Sequence, residues 1–288
     1  MTWLPFCFTH YSLLSMRNST PIGLFDSGIG GLSVWREIAR QLPYEDTLYF
    51  ADQIHIPYGP RTLQEIRAFS EAITRFLLER GSKVIVVACN TASAAALKHL
   101  RATFPEVPFV GMEPAVKPAA QTTRTGVVGV LATPATFQGE LFASVVERFA
   151  NGVQLINQVC PGLVEQIEAG HLQTPATLEM LDRFLAPLRV ANADTIVLGC
   201  THYPFVLDAL RQLAPEVNVI DPAPAVARQV DRVLTEQGLR GDPDRAGTHT
   251  FITSGVLDRF QDILRVLVNV ETPGQRAFWK ADQQLLMD

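Results

Sequence analysis

From Pro21 onward, short runs of β-branched and aliphatic residues alternate with longer stretches whose apolar positions recur at helical spacing. Runs such as Val84-Ile85-Val86-Val87-Ala88 and Thr195-Ile196-Val197-Leu198-Gly199 lack the strict apolar–polar alternation of a half-exposed strand. They predict strands buried on both faces, as in a parallel sheet covered by helices. Strands are expected at 22–25, 47–51, 84–88, 109–111, 126–131, 154–159, 195–199 and 217–220, with a late one at 248–253. The clearest helix is expected at 63–80. Thr62 and Glu65 form a capping-box pair, Ile66, Phe69, Ile73, Phe76 and Leu77 follow helical spacing, and Gly81 supplies a stop.

The order β-loop-α throughout predicts an α/β fold. A glycine-bearing first strand, a middle strand with a Pro-Gly turn and a strand ending in Cys occur in both halves: Ile22 to Thr91 answers Gly126 to Thr201. Two similar three-layer, parallel-sheet domains related by pseudo-twofold symmetry are expected, with the site in the cleft between their strand ends. The boundaries are drawn at 21–112 plus 222–288 for the first domain and 113–221 for the second. The pieces after the second Cys-ended strand, namely 217–221, the helix that follows and the strand 248–253, have no third Cys unit to serve. They are expected to turn back toward the first domain.

Composition narrows the class. The chain has 288 residues, 47% of them hydrophobic, and a formal net charge of −5, so a packed core is expected and disorder is not. Arginines are scattered and form no basic run, which argues against a nucleic-acid partner. Apolar stretches are strand-length, short of the roughly 20 residues that span a bilayer. Cys7, Cys89, Cys160 and Cys200 are far apart and none belongs to a C-x-x-C pair, so neither a metal site nor a disulfide framework is expected, and a cytoplasmic location is. Residues 1–20 carry no basic residue ahead of their apolar side chains and no clean small-residue cleavage site. A poorly ordered tail or an overextended start is expected there, since Met16 precedes the first strand, and a signal peptide is not.

The chemistry centres on the duplicated ends, Ala88-Cys89-Asn90-Thr91 and Gly199-Cys200-Thr201-His202. A thiol where a strand enters a helix N-terminus gains stabilisation of its thiolate from the helix dipole and unpaired amides. One such Cys is as readily an inert, buried residue; two matched ones followed by polar residues are poorly explained by packing. Two thiols on opposite faces suit inversion of a carbon centre, in which one group removes a proton and the other returns one. Asn90, Thr91 and Thr201 are placed to donate to a substrate carboxylate.

Gly23-Leu24-Phe25-Asp26-Ser27-Gly28-Ile29-Gly30-Gly31 follows a strand and precedes a helix, so its amides can cradle an anion. It has neither the ending of a P-loop nor the spacing of a dinucleotide fingerprint, and a tight turn alone also accounts for its glycines. Asp26 leaves the strand where a site would lie and can receive an ammonium group or orient a thiol. His202 is placed to tune Cys200. Glu168, taken alone, is expected on a solvated helix face. Cys7 and Cys160 are expected to be non-catalytic.

With these residues in hand, the chain resembles the glutamate racemases, cofactor-independent members of the aspartate/glutamate racemase superfamily. The resemblance runs from Ile22 to about Leu239. It is carried by the glycine-rich segment, Pro57-Tyr58-Gly59, Ala88-Cys89-Asn90-Thr91-Ala92, Thr133-Pro134-Ala135-Thr136 and Gly199-Cys200-Thr201-His202-Tyr203-Pro204. It implies Cys89 as the base toward D-glutamate, assisted by Asp26, and Cys200 as the base toward L-glutamate, assisted by Glu168 and His202. It further implies that Asp26, Ser27, Pro57, Tyr58, Gly59, Asn90, Thr91, Thr133, Thr136, Thr201 and His202 bind the substrate. No cofactor and no metal are implied. The expected product is D-glutamate for peptidoglycan, and a homodimer is expected, as is common among such proteins. Some extended members are activated by a cell-wall precursor, but the tail before Pro21 carries no motif tied to that.

Three alternatives stand beside it. A racemase for aspartate or another small acidic amino acid would share the thiols. A non-catalytic carboxylate-binding protein, or one that binds a partner such as gyrase as some relatives do, would leave the second thiol idle. A pyridoxal phosphate racemase needs a Schiff-base lysine, and Lys83, Lys98, Lys117 and Lys280 lie in no motif suited to it.

Overall fold

A computed structural model describes residues 20–281 and 283–288. The expected tail and Cys7 therefore lie outside the described residues, apart from Thr20. The first half runs β1 (Ile22–Asp26), α1 (Leu32–Gln41), β2 (Thr47–Ala51), α2 (Leu63–Glu79), β3 (Val84–Val87), α3 (Asn90–Thr103), β4 (Phe109–Gly111) and α4 (Val116–Thr122). The second half runs β5 (Val127–Ala132), α5 (Pro134–Gln138), α6 (Glu140–Phe149), β6 (Gln154–Val159), α7 (Leu163–Glu168), α8 (Pro175–Val190), β7 (Thr195–Gly199), α9 (Leu207–Leu213) and β8 (Asn218–Ile220). The last stretch adds α10 (Ala223–Glu236), β9 (His249–Thr253), α11 (Leu257–Val268), β10 (Gln275–Trp279) and β11 (Leu285–Met287).

Two sheets result, with orders β11-β10-β9-β2-β1-β3-β4 and β6-β5-β7-β8. The core order β2-β1-β3-β4 matches β6-β5-β7-β8 strand for strand, so the repeated order of the sequence is also a repeated topology. The central strands β1, β3 and β7 are buried at every position, which is why their sequences lack alternation. Their large side chains, such as Phe25 and Leu198, are fully buried, and each contributes about 1.5–3 kcal/mol of hydrophobic stabilisation. Parallel registers Ile22↔Thr47 and Ile22↔Val84 in one sheet, and Val128↔Thr195 in the other, bring the carboxyl ends of neighbouring strands level. A crevice at those ends is where ligands bind in open α/β sheets.

The helix expected at 63–80 is α2, and it carries the full capping box: Thr62 Oγ1 accepts from the Glu65 amide while the Glu65 carboxylate accepts from the Thr62 amide. It stops before Gly81, whose φ of +80° is left-handed and suits glycine.

One expectation is corrected. The segment 217–221 does not turn back to the first sheet, because β8 pairs in parallel with β7, Thr195 opposite Asn218. The following pieces do return: α10 packs on α1, and β9 lies parallel to β2 with Thr47 opposite His249. Beyond them come two strands not anticipated from the sequence, β10 and an antiparallel β11 at the sheet edge. Among the described residues no helix is long and apolar enough to cross a membrane.

Candidate active site

The carboxyl ends of β1, β3 and β7 meet across the cleft, and a small cavity lies there. Its walls are Ser27, Pro57, Tyr58, Gly59, Cys89, Asn90, Thr91, Thr133, Val164, Cys200, Thr201 and His202. Both thiols therefore face one cavity, one from each sheet. Its volume is about 20 Å³, the scale of a water molecule rather than of an amino acid, so entry of a larger ligand requires the cleft to widen.

Cys89 follows β3 and is the N-cap of α3; its Sγ accepts from the Ala92 amide at 3.4 Å and donates to Ser27 Oγ at 3.8 Å. The amide contact is the helix-terminus interaction expected for a thiolate, but burial outweighs it. Desolvation first, and then the charge of Asp26, push the Cys89 thiol well above the ordinary range. At Cys89 the helix terminus therefore acts against burial and the Asp26 charge, which together favour the thiol form.

Cys200 directly follows β7 and leads not into an α-helix but into a turn and a short 3-10 helix, Tyr203–Val206. Its partner is a side chain. His202 Nδ1 lies 3.7 Å from Cys200 Sγ, and His202 Nε2 lies 2.8 Å from Glu168 Oε1. Burial disfavours charge on His202, but the hydrogen bonds to Cys200 and Glu168 outweigh it and hold its pKa well above the ordinary value. Burial likewise acts to raise Glu168, and the contacts with His202, the Ile29 amide and Gln53 reverse it, leaving its pKa lowered. Both directions favour a carboxylate–imidazolium pair beside Cys200. Glu168 is buried, not on a solvated helix face: it ends α7 pointing into the domain interface, where the opposite domain adds donors to that of His202.

That supply comes from the glycine-rich segment. The Ile29 amide donates to Glu168 Oε1 at 2.8 Å, and the Gly28 amide donates to Asp26 Oδ1 at 2.8 Å. The segment is an anion cradle, and among the described residues the anions it holds are the protein's own carboxylates. Its glycines also make room, since a Cβ on Gly28 would strike the Glu168 carboxylate and one on Gly30 the His202 ring.

Asp26 is fully buried. Its Oδ2 accepts from Thr201 Oγ1 at 2.7 Å across the cleft, and Ser27 Oγ donates to Oδ1 at 3.1 Å. Burial is the main cause of its raised pKa, opposed by His202, Thr201 and the Gly28 amide and reinforced by Glu168. Asp26 thus touches the residue after Cys200 directly and acts on Cys89 through its charge and through Ser27.

Of the remaining candidates, Tyr58 donates to Asp52 Oδ2 at 2.7 Å, which fixes the Pro57–Gly59 wall. Thr91 and Thr133 join the domains through hydroxyls 2.9 Å apart. Thr136 does not reach the cavity wall and acts through Thr133, 3.0 Å away. Asn90 is buried, and neither atom of its amide has a hydrogen-bond partner among the described residues. An unpaired buried amide costs about 1–3 kcal/mol, which a polar ligand in the cavity would recover. Cys160 is buried and points its Sγ at the Gln158 carbonyl, 3.7 Å away. Among the described residues no cluster of His, Cys, Asp or Glu is arranged to hold a metal ion.

Val164, Asp52 and Gln53 were not singled out from the sequence. Asp52 and Gln53 follow the carboxyl end of β2, a position that marks site-facing residues in a parallel sheet; Val164 carries no such signal.

Residues 22–230 match the sequence profile of the Asp/Glu/Hydantoin racemase family. A glutamate racemase of Roseiflexus sp. (strain RS-1) is 53% identical over 256 residues, covering 88% of this chain and 94% of the relative. Among solved structures, a glutamate racemase isoform of Bacillus anthracis superposes with a TM-score of 0.82 at 30% identity, covering 92% of this chain and 98% of that one. The Escherichia coli glutamate racemase in complex with L-glutamate and the activator UDP-MurNAc-Ala gives a TM-score of 0.78 at 35% identity, covering 93% and 99%.

Proposed function

The chain belongs to the Asp/Glu/hydantoin racemase family, and from that membership we infer that it interconverts L- and D-glutamate by moving a proton between two thiols across the bound substrate. The observation that carries the mechanism is the pair Cys89 and Cys200, which reach one cavity from two different sheets.

Glutamate binds with Cα between the sulfurs. Asn90, Thr91, Thr133 and Thr201 offer amide and hydroxyl groups to its carboxylates, and Ser27 lies beside its ammonium with Asp26, which does not reach the cavity wall, behind it. From L-glutamate, the Cys200 thiolate, stabilised by the His202 imidazolium, takes the α-proton, while the Cys89 thiol gives its proton to the opposite face. Bond making on one side as the other breaks keeps the carbanion short-lived, and each proton transfer contributes roughly 10²–10⁴-fold. The product leaves Cys89 as thiolate and Cys200 as thiol, the arrangement that D-glutamate requires for the reverse reaction. The unlike surroundings support this assignment: burial and Asp26 push the Cys89 thiol up, whereas the His202 ring, held by Glu168, lies against Cys200 Sγ.

Isotope exchange tests the proposal. In D₂O each enantiomer should acquire deuterium at Cα as it racemises, and aspartate offered in parallel should turn over far more slowly. Racemisation without solvent exchange, or equal use of aspartate, would overturn it.

The same proposal takes in the supply of D-glutamate for peptidoglycan, a cytoplasmic location and a homodimer, all on the strength of the family resemblance. The location is also supported by the isolated cysteines. Domain boundaries of 21–112 plus 222–288 and 113–221 are proposed because β9 adds to the first sheet and β8 to the second.

A further inference from the structure

Glu168 Oε1 has two donors, the Ile29 amide and His202 Nε2. Among the described residues Oε2 has one, Gln53 Nε2 at 3.0 Å, which comes from the other domain. Gln53 opens a single 3-10 turn after β2, and its own orientation is fixed. Thr253 Oγ1, at the end of β9, donates to Gln53 Oε1 at 2.8 Å and itself accepts from the Gly255 amide at 2.9 Å. A carboxylate only accepts, so only this rotamer of the amide satisfies both neighbours. Arg259 of α11 also crosses the cleft, but its Nη2 donates at 2.9 Å to the main-chain carbonyl of Glu168 and leaves the carboxylate alone.

We propose that Gln53, held by Thr253, is a positioning residue for the Cys200 base, keeping the Glu168 carboxylate aimed at His202. The residue touches no reacting atom. It completes the relay Thr253, Gln53, Glu168, His202, Cys200, which is continuous only while the two domains are in contact. The second thiol is therefore tuned by the first domain, and widening the cleft to admit substrate would loosen that tuning. The other titratable and charged groups around Glu168 are His202 and Cys200 on its own domain, and Asp26, Tyr49 and Arg259 on the opposite one.

The inference rests on the assignment of Cys200 as a base. Its test is the pH dependence of kcat/KM in the wild type and in Gln53→Met, Thr253→Val and Arg259→Leu. Loss of the Gln53 donor to Oε2 makes the carboxylate easier to protonate, so in Gln53→Met the acid limb should move up by about one pH unit, roughly a tenfold loss on that limb with little loss at neutral pH. Thr253→Val, which frees the amide without removing it, should move the limb the same way by less, and it carries the test if Gln53→Met does not fold. Arg259→Leu should lower the melting temperature and leave the limb where it is. An unmoved limb in folded Gln53→Met, or an equal shift in Arg259→Leu, would overturn the proposal by reducing Gln53 to a domain staple. Carboxyl NMR titration of Glu168 in the same proteins reads the shift directly. It separates failure of this inference from failure of the glutamate assignment, because it needs no turnover.

Discussion

Cys89 and Cys200 occupy equivalent places in matching sheets, just past β3 and β7, yet their surroundings differ in kind. Cys89 sits at the start of an α-helix, among Ser27, the Ala92 amide and the charge of Asp26. Cys200 sits against an imidazole that is itself held by a buried carboxylate. The helix terminus, which the sequence offers as the activating feature, is the weaker influence. It is outweighed by desolvation at Cys89 and absent at Cys200, where a charged side chain replaces it. Matching strand ends thus carry two thiols into one cavity, and the unlike flanking residues give each a different electrostatic setting.

That asymmetry can be broken outright by removing either sulfur. Cys89→Ala and Cys200→Ala should each lower kcat for racemisation by at least about 10³-fold, followed by optical rotation. Full activity in either variant would end the two-thiol account. Next in size is His202→Asn, which should cost about 10²-fold at neutral pH. The deficit should shrink toward alkaline pH, where the wild-type ring itself loses its charge; a loss constant with pH would remove the charge argument.

Asp26→Asn probes the other side. Removing a negative charge near Cys89 should lower the pKa of that thiol, read by the ultraviolet absorbance of its thiolate in the Cys200→Ser background, with about tenfold loss of activity. An unchanged or higher thiol pKa would mean that Asp26 acts only by holding Thr201.

The smallest effect is on stability. Because the His202 pKa is raised in the folded protein, its contribution is complete below the unfolded value of about 6.5 and is lost as pH rises through the folded value. Glu168 is lowered, so its contribution is complete above about 4.5 and is lost as pH falls through the folded value. The melting-temperature advantage of wild type over His202→Asn should therefore be greatest between about pH 4.5 and 6.5 and narrow on both sides. A pH-independent difference would show that the ring acts by packing alone.

Much of this molecule was legible along the chain, for local reasons. Unalternating strands announced parallel sheets, Thr62 and Glu65 announced the start of α2, and the two Cys-ended strands announced a site with a thiol on each side. Other features were hidden because they depend on the partner of an element rather than on the element itself. Nothing in the run 217–221 says which sheet it joins, since a short parallel strand is specified by the edge available to it. Glu168 sits in a stretch that fits a solvated helix face and is buried only because the other domain closes over it.

The sequence by itself determined the elements, their repeated order and the presence of two thiols at strand ends, because periodicity and turn chemistry act between neighbours in the chain. Only the tertiary structure decided what surrounds each thiol. That depends on burial and on charges brought close from distant segments: Asp26 against Cys89, Glu168 behind His202, and Gln53 behind Glu168.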